Sequence, residues 1–113
     1  MTVYFIAQVQ TDDPEGYMEY VKAGRPTLIE HGAWYVGRAS AAGDAEVIEG
    51  DDPGRYIIIG FENRESVWKW YNSPEYQEAK KIRDPISKVN LFIVDEIPPG
   101  SGIPTRPLGD IQN

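Results

Sequence analysis

The chain has 113 residues with 18 acidic and 11 basic side chains, a formal net charge of −7, one histidine and no cysteine, which suits one domain with one modest core. Its acidity argues against binding to nucleic acid or anionic membranes, and the cysteine and histidine counts leave no disulfide, thiolate nucleophile or multi-histidine zinc site. A carboxylate-only calcium or magnesium site and haem ligation by His31 stay open alternatives, but no loop has EF-hand spacing and no cofactor or metal is predicted. Because no signal-peptide pattern and no run as long as a membrane span is present, we expect a soluble cytoplasmic protein.

Residues 2–10 form the first predicted strand, and a helix is predicted to begin directly after it. Asp13 has the residue type of an N-cap, and Pro14 and Glu15 suit the first helical turn. The residues expected to face the sheet follow at helical spacing and are Tyr17, Tyr20, Val21, Gly24 and Leu28.

The second half of this helix contains Pro26, which lacks an N–H and restricts the residue before it. A kink or break is therefore expected near Gly24–Arg25. Gly32 suits the C′ position of a helix that ends after His31, and residues 33–38 form the second predicted strand.

A loop rich in small residues follows at 40–44, and residues 46–49 are predicted to form a short strand. Asp51–Gly54 is a strong turn signal because it combines aspartate, proline and glycine. The third main strand is predicted over residues 55–61.

Asn63 is a candidate N-cap for a second helix. Ser73 followed by Pro74 repeats the N-cap and proline signature, so this helix is predicted to stop and restart, continuing to about Ile82. The last predicted strand is Val89–Glu96. The inner face of the first part of the helix is predicted to hold Val67, Trp70 and Tyr71.

The predicted order of elements is β-α-β-β-α-β, which is the ferredoxin-like arrangement, an α+β fold with an antiparallel sheet. We expect residues 1–97 to form this domain. Residues 98–113 are rich in proline and glycine and are expected to form an extended tail. A position for this tail across a partner subunit is a hypothesis.

Three predicted strand segments carry almost no polar side chains on either face, namely Val3–Ala7, Tyr56–Phe61 and Leu91–Val94. A sheet with one face in water should alternate apolar and polar residues. Two helical segments can cover only one face, so the pattern predicts that a second copy of the chain covers the other. The expected assembly is a homodimer with an enclosed apolar interior.

Several motifs together resemble a known family. The most distinctive is Trp70–Gln77, and it is joined by Asp13–Tyr17, His31–Gly32 and Glu49–Gly50. Their order and spacing resemble the bacterial family called domain of unknown function thirteen-thirty, over about residues 3–96. The resemblance implies a ferredoxin-like dimeric α+β barrel, a superfamily that includes cofactor-free monooxygenases, cyclases, chlorite-dismutase-like proteins and EthD-like proteins. The long tail departs from the usual family pattern.

Three residues are candidates for catalysis. His31 is the general acid/base candidate because histidine is the side chain whose unperturbed pKa lies near neutrality, and it matches the family's His-Gly pair, although a histidine in a last helical turn also caps carbonyls. Arg38 suits binding of a carboxylate or enolate, or an ion pair with Glu46 or Glu49. Glu49 would be a base if partly buried and an ordinary surface charge if exposed.

The aromatic residues are the candidates for substrate binding, with core packing as the alternative interpretation. Trp68 is predicted to lie on the opposite side of its helix from Val67 and Tyr71, exposed or at an interface. The proposed substrate-binding set is Tyr4, Trp34, Tyr56, Trp70 and Tyr76.

The leading functional hypothesis is an enzyme that works without a cofactor. It would carry out acid/base or oxygen-dependent chemistry, of the cyclase, isomerase, lyase or monooxygenase type, on a small cyclic or carbonyl-containing molecule. The alternatives are a non-catalytic ligand-binding module with the same cavity, and a subunit whose surface recruits another protein.

Overall fold

The computed structural model describes residues 1–105 and contains a four-stranded antiparallel sheet with three helices. The strand order is β2-β3-β1-β4, so the predicted ferredoxin-like α+β fold is confirmed. Among the described residues, no helix is long and apolar enough to cross a membrane. The elements are β1 (Val3–Thr11), α1 (Pro14–Glu30), β2 (Trp34–Ala39), β3 (Arg55–Phe61), α2 (Arg64–Tyr71), α3 (Pro74–Arg83) and β4 (Ser87–Asp95).

All three helices begin at the predicted caps. The side chain of Asp13 accepts from the backbone N–H of Gly16 at 3.0 Å, and that of Asn63 accepts from the N–H of Ser66 at 2.8 Å. Ser73 accepts from the N–H of residue 76 at 3.3 Å. This cap begins α3, which two residues separate from the end of α2. The predicted interruption of the second helix is therefore confirmed, because each cap satisfies a donor that the helix leaves unpaired.

The C-terminus of α1 is a Schellman motif around Gly32, whose φ is +74°. The N–H of Gly32 donates to the carbonyl of Ile29 and the N–H of Ala33 donates to the carbonyl of Leu28, both at 3.1 Å. The glycine is required because this left-handed conformation is unfavourable for residues with a Cβ. The predicted end of the helix after His31 is confirmed.

Of the kink or break predicted near Gly24–Arg25, the break is wrong, because α1 is continuous from Pro14 to Glu30. The helix continues past Pro26 and buries Thr27 and Leu28 against the rest of the domain. A proline inside a helix destabilises the fold by about 3 kcal/mol, and burying one leucine stabilises it by about 1.5–3 kcal/mol. The packing added by the second half of the helix therefore offsets the hydrogen bond lost at the proline.

The predicted strand at 46–49 is also wrong, because residues 40–54 contain neither strand nor helix. Ile48 is 93% exposed and has no neighbouring strand with which to pair. β2 is an edge strand of the sheet and bonds only to β3. Residues 40–54 therefore connect β2 to β3 as an irregular loop that contains turns.

The two faces of the sheet differ in what covers them. On the helix-covered face, Phe5 lies opposite Ile59 and Ile93, and β1 is buried there at every second residue. On the open face, Ile6 lies opposite Ile58 and Phe92. The exposed large side chains of the open face are Trp34, Phe92 and Val94, each about two-fifths exposed.

The strand β4 ends at Asp95, and residues 96–105 are exposed and irregular. The rest of the predicted tail, 106–113, lies outside the described residues.

Candidate functional site

A cavity of about 540 Å³ lies between the helix-covered face of the sheet and the helices, and residues from all seven elements line it. Two small residues make room for it: Ala7 on β1, flanked across the sheet by Ile57 and Leu91, and Gly24 on α1. Its volume falls within the range of small-molecule sites in proteins. The floor of the cavity is apolar and consists of Phe5, Ala7, Ile57, Ile59 and Leu91.

The charged side chains that line this cavity are all arginines: Arg25, Arg38, Arg55 and Arg83. No aspartate, glutamate or histidine of residues 1–105 lines it. Within the same part of the chain, Arg25 and Arg38 form no ion pair, so the alternative that Arg38 pairs with Glu46 or Glu49 gains no support. Guanidinium groups stay cationic at every physiological pH, so the charged groups of the lining are all positive.

Arg55 reaches the cavity from the start of β3. Its guanidinium carbon lies 5.2 Å from the centre of the Tyr17 ring, and its Nη1 donates to the carbonyl of Ser40 at 2.6 Å. These contacts fix the cation against the wall without neutralising it.

A buried polar network joins α1 to α3. Nη1 of Arg83 donates to Oδ1 of Asp84 at 3.0 Å, and Nη2 donates to the hydroxyl of Tyr76 at 3.4 Å. The hydroxyls of Tyr76 and Tyr20 lie 2.8 Å apart. Arg83 is only 4% exposed, and its guanidinium carbon lies 5.6 Å from the centre of the Tyr20 ring.

Burial favours the neutral form of the Tyr20 and Tyr17 phenols. It raises the pKa of Tyr20 above the ordinary value near 10, and the adjacent Tyr76 hydroxyl acts in the same direction. Burial also raises the pKa of Tyr17, although Arg55 and Arg83 oppose it. At neutral pH both phenols therefore stay protonated, so each can donate a hydrogen bond and neither acts as a base.

Three of the residues predicted from sequence lie at the cavity: Arg38, Trp70 and Tyr76. The indole of Trp70 is 2% exposed and forms part of the wall. Its N–H already donates to the hydroxyl of Thr27 at 2.9 Å, so the tryptophan contributes surface and not a free donor.

The structure places the other predicted site residues elsewhere. Tyr4, Trp34 and Tyr56 belong to the open face of the sheet, where Tyr4 Oη donates to Glu96 at 3.4 Å. His31 caps α1, with Nδ1 donating to the carbonyl of Thr27 at 2.8 Å, and does not line the cavity.

Glu49 lies in the exposed segment between β2 and β3 and likewise does not line the cavity. The structure therefore does not bring His31, Arg38 and Glu49 together around it, and the catalytic roles proposed for these three residues stay predictions.

Arg83 is the cavity residue that sequence reasoning missed most clearly, since a basic residue at a helix end is ordinarily solvated. One signal was available: Tyr76, Ala79 and Arg83 follow at spacings of three and four residues, so the arginine shares the buried face of α3. Arg25 of α1 was not expected at the cavity either.

Solved structures of low identity share this fold. RPA0582 from Rhodopseudomonas palustris, a protein of unknown function, is 16% identical and has a TM-score of 0.70, covering 87% of this chain and 84% of that chain. SnoaB from Streptomyces nogalater, a cofactor-independent oxygenase, is 8% identical with a TM-score of 0.64, covering 88% of this chain and 97% of its own.

A dimeric ferredoxin-like protein of unknown function from Thermobifida fusca is 13% identical with a TM-score of 0.54, covering 83% of this chain and 92% of that chain. No curated protein sequence matches the chain. The family model described as domain of unknown function (DUF1330) matches residues 2–97, and the chain belongs to this family.

Proposed function

We propose that this protein binds a small planar organic anion in the cavity and converts it without a cofactor. The observation that carries the proposal is the composition of the lining: four guanidinium groups and neutral phenols above an apolar floor, with no carboxylate from residues 1–105. A ligand that fits would combine a flat apolar body with a carboxylate, enolate or phenolate oxygen.

The lining favours reactions that pass through an oxyanion. Arg38 and Arg55 would stabilise negative charge as it develops on a carbonyl oxygen, which lowers the pKa of the adjacent C–H bond. The substrate would then lose that proton to water, and its carbanion could isomerise, cyclise or react with dioxygen. SnoaB, a cofactor-independent oxygenase, has the same fold, which is compatible with such chemistry.

The binding step is tested with a charged probe and its neutral counterpart, 1-hydroxy-2-naphthoate and the corresponding primary amide, by isothermal titration calorimetry. We expect the carboxylate to bind at least about tenfold more tightly, because hydrogen bonds to charged groups are the stronger ones. Arg38→Gln should reduce that preference. Arg64→Gln is the matched control, since Arg64 pairs with Asp95 and does not line the cavity. Equal binding of both probes, or binding of neither, would contradict the proposal.

A non-catalytic binding module is the second candidate. It is favoured by the absence of any histidine or carboxylate of residues 1–105 from the cavity lining. Incubation of a bound enolisable ligand with the protein, with and without dioxygen, followed by mass spectrometry separates the two. An unchanged ligand supports the module, and a product supports the enzyme.

We also propose a homodimer that forms across the open face of the sheet. The support is the apolar character of that face, where Ile6, Ile58 and Phe92 are neighbours, and the description of the Thermobifida fusca protein as dimeric. A second copy would remove these side chains from water and account for the apolar residues on both faces of the strands.

A further inference from the structure

We infer that Tyr20 is the donor that receives the negatively charged oxygen of the ligand, an enolate or a phenolate, and that Tyr76 and Arg83 fix the direction of its hydroxyl proton. This inference rests on the proposed function, because it gives a role to polar residues that line the same cavity. Tyr20 would touch the ligand, whereas Tyr76 and Arg83 are positioning residues.

The direction of the hydrogen-bond chain follows from counting donors and acceptors. A guanidinium can only donate, so the hydroxyl oxygen of Tyr76 accepts from Nη2 of Arg83. The hydroxyl proton of Tyr76 then needs an acceptor, and among the described residues the oxygen of Tyr20, 2.8 Å away, is the one within reach. Tyr76 therefore donates to Tyr20.

This direction leaves the hydroxyl proton of Tyr20 without a partner among the described residues. The opposite direction would bury the proton of Tyr76 unpaired, at a cost that folded proteins generally avoid. Tyr76 is 1% exposed, whereas Tyr20 is half-buried and lines the cavity. The unpaired hydroxyl proton is consequently that of Tyr20, the tyrosine that a ligand in the cavity can reach.

The charge of Arg83 strengthens this donor. The guanidinium polarises the Tyr76 hydroxyl, which in turn makes the Tyr20 proton a better donor, as in other chains of hydrogen bonds at low dielectric. Arg83 itself is held by Asp84 and Tyr76. A single aligned O–H suits a one-oxygen anion, and Arg25 is left for any carboxylate on the same ligand.

The experiment uses 4-nitrophenol, whose phenol and phenolate forms differ in absorbance. The full-length protein is titrated with this probe across a range of pH, which yields the affinity for each form and the pKa of the bound probe. We expect the bound pKa to be lower than that of the free probe. Tyr20→Phe should weaken phenolate binding by about tenfold or more and return the bound pKa toward its free value.

Tyr76→Phe should produce a smaller change in the same direction, because Tyr20 keeps its hydroxyl but loses its alignment. The pKa of the bound probe is the decisive reading, since a merely structural role would change affinity for phenol and phenolate alike. Tyr71→Phe is the matched control and should leave both quantities unchanged, because its ring packs 5.5 Å from that of Tyr76 outside the cavity lining.

Three results would overturn the inference. If wild-type protein binds the probe without lowering its pKa, the oxygen of the ligand does not meet an aligned donor. If Tyr20→Phe matches the wild type, the donor is another group, and anion binding, and with it the proposed function, stands. In the first case the proposed function stands only if 1-hydroxy-2-naphthoate still binds more tightly than its amide. If neither 4-nitrophenol nor 1-hydroxy-2-naphthoate binds to the wild type, the proposed function fails and the inference fails with it.

Discussion

The indole N–H of Trp70 donates to the hydroxyl of Thr27 at 2.9 Å, and this hydroxyl donates to the carbonyl of Gly24 at 2.6 Å. The bridge connects α2 to the C-terminal half of α1, and both Trp70 and Thr27 are buried. It satisfies an indole donor in the core and holds the tryptophan ring as a wall of the cavity.

Replacing Thr27 with valine tests this bridge. Valine keeps the shape of the side chain but leaves the indole N–H of Trp70 buried without an acceptor, so we expect the free energy of unfolding to fall by about 1–3 kcal/mol. Urea denaturation, monitored by tryptophan fluorescence, measures this change in the free energy of unfolding. Thr27→Ser keeps the hydroxyl and should lose less stability than the valine variant; equal losses in the two variants would show that the hydrogen bond contributes nothing.

Gly24→Ala should raise stability while weakening ligand binding. Glycine inside a helix costs about 0.5–1 kcal/mol relative to alanine, and a Cβ here would lie 3.8 Å from the Tyr20 ring, an ordinary contact. The added methyl group would reduce the room beside Tyr20. Thermal denaturation and titration with 1-hydroxy-2-naphthoate measure the two effects.

The control for this prediction is Ala23→Gly, one residue earlier in α1 at an exposed position. It should lower stability by a similar amount and leave binding unchanged. A Gly24→Ala variant with undiminished affinity would show that the ligand does not occupy the space next to α1.

Stability should decrease at alkaline pH. Burial raises the pKa of Tyr20 and of Tyr17 above the value near 10 of an unfolded chain. Above about pH 10 the unfolded state therefore loses protons that the folded state retains, and the free energy of unfolding falls by about 1.4 kcal/mol per pH unit for each such group. Below the unfolded pKa this contribution is fully present and does not vary.

Urea denaturation at a series of alkaline pH values measures this slope. Tyr20→Phe removes one of the two groups, so its slope should be shallower than that of the wild type by about 1.4 kcal/mol per pH unit. Identical slopes would mean that Tyr20 titrates in the folded protein as it does in the unfolded chain.

Phe92→Lys should convert the proposed homodimer into a monomer. Phe92 is 40% exposed in the single chain and lies opposite Ile6 on the open face, so a dimer would bury the new charge without a partner. Sedimentation velocity measures the mass. Trp68→Lys, at a residue 56% exposed on α2, is the control and should remain dimeric. A wild-type monomer at micromolar concentration would refute the dimer itself.

The order of elements and the helix ends could be predicted from the sequence because their causes are local. A cap such as Asn63 acts on an N–H three residues away, and Gly32 ends α1 through bonds that span a few residues. The strand predicted at 46–49 is wrong because a strand needs a partner, and the identity of four residues does not say whether a neighbouring strand exists.

The cavity was decided only by tertiary packing. Tyr20 and Tyr76 are 56 residues apart in the chain, and Thr27 and Trp70 are 43 apart, so no local pattern indicates that they meet. The strands with apolar residues on both faces indicated a sheet that is covered on both sides. The resemblance to a family indicated the fold. Where each arginine points depended on how α1 and α3 pack together, because a long charged side chain can equally well extend into solvent or lie along a cavity wall.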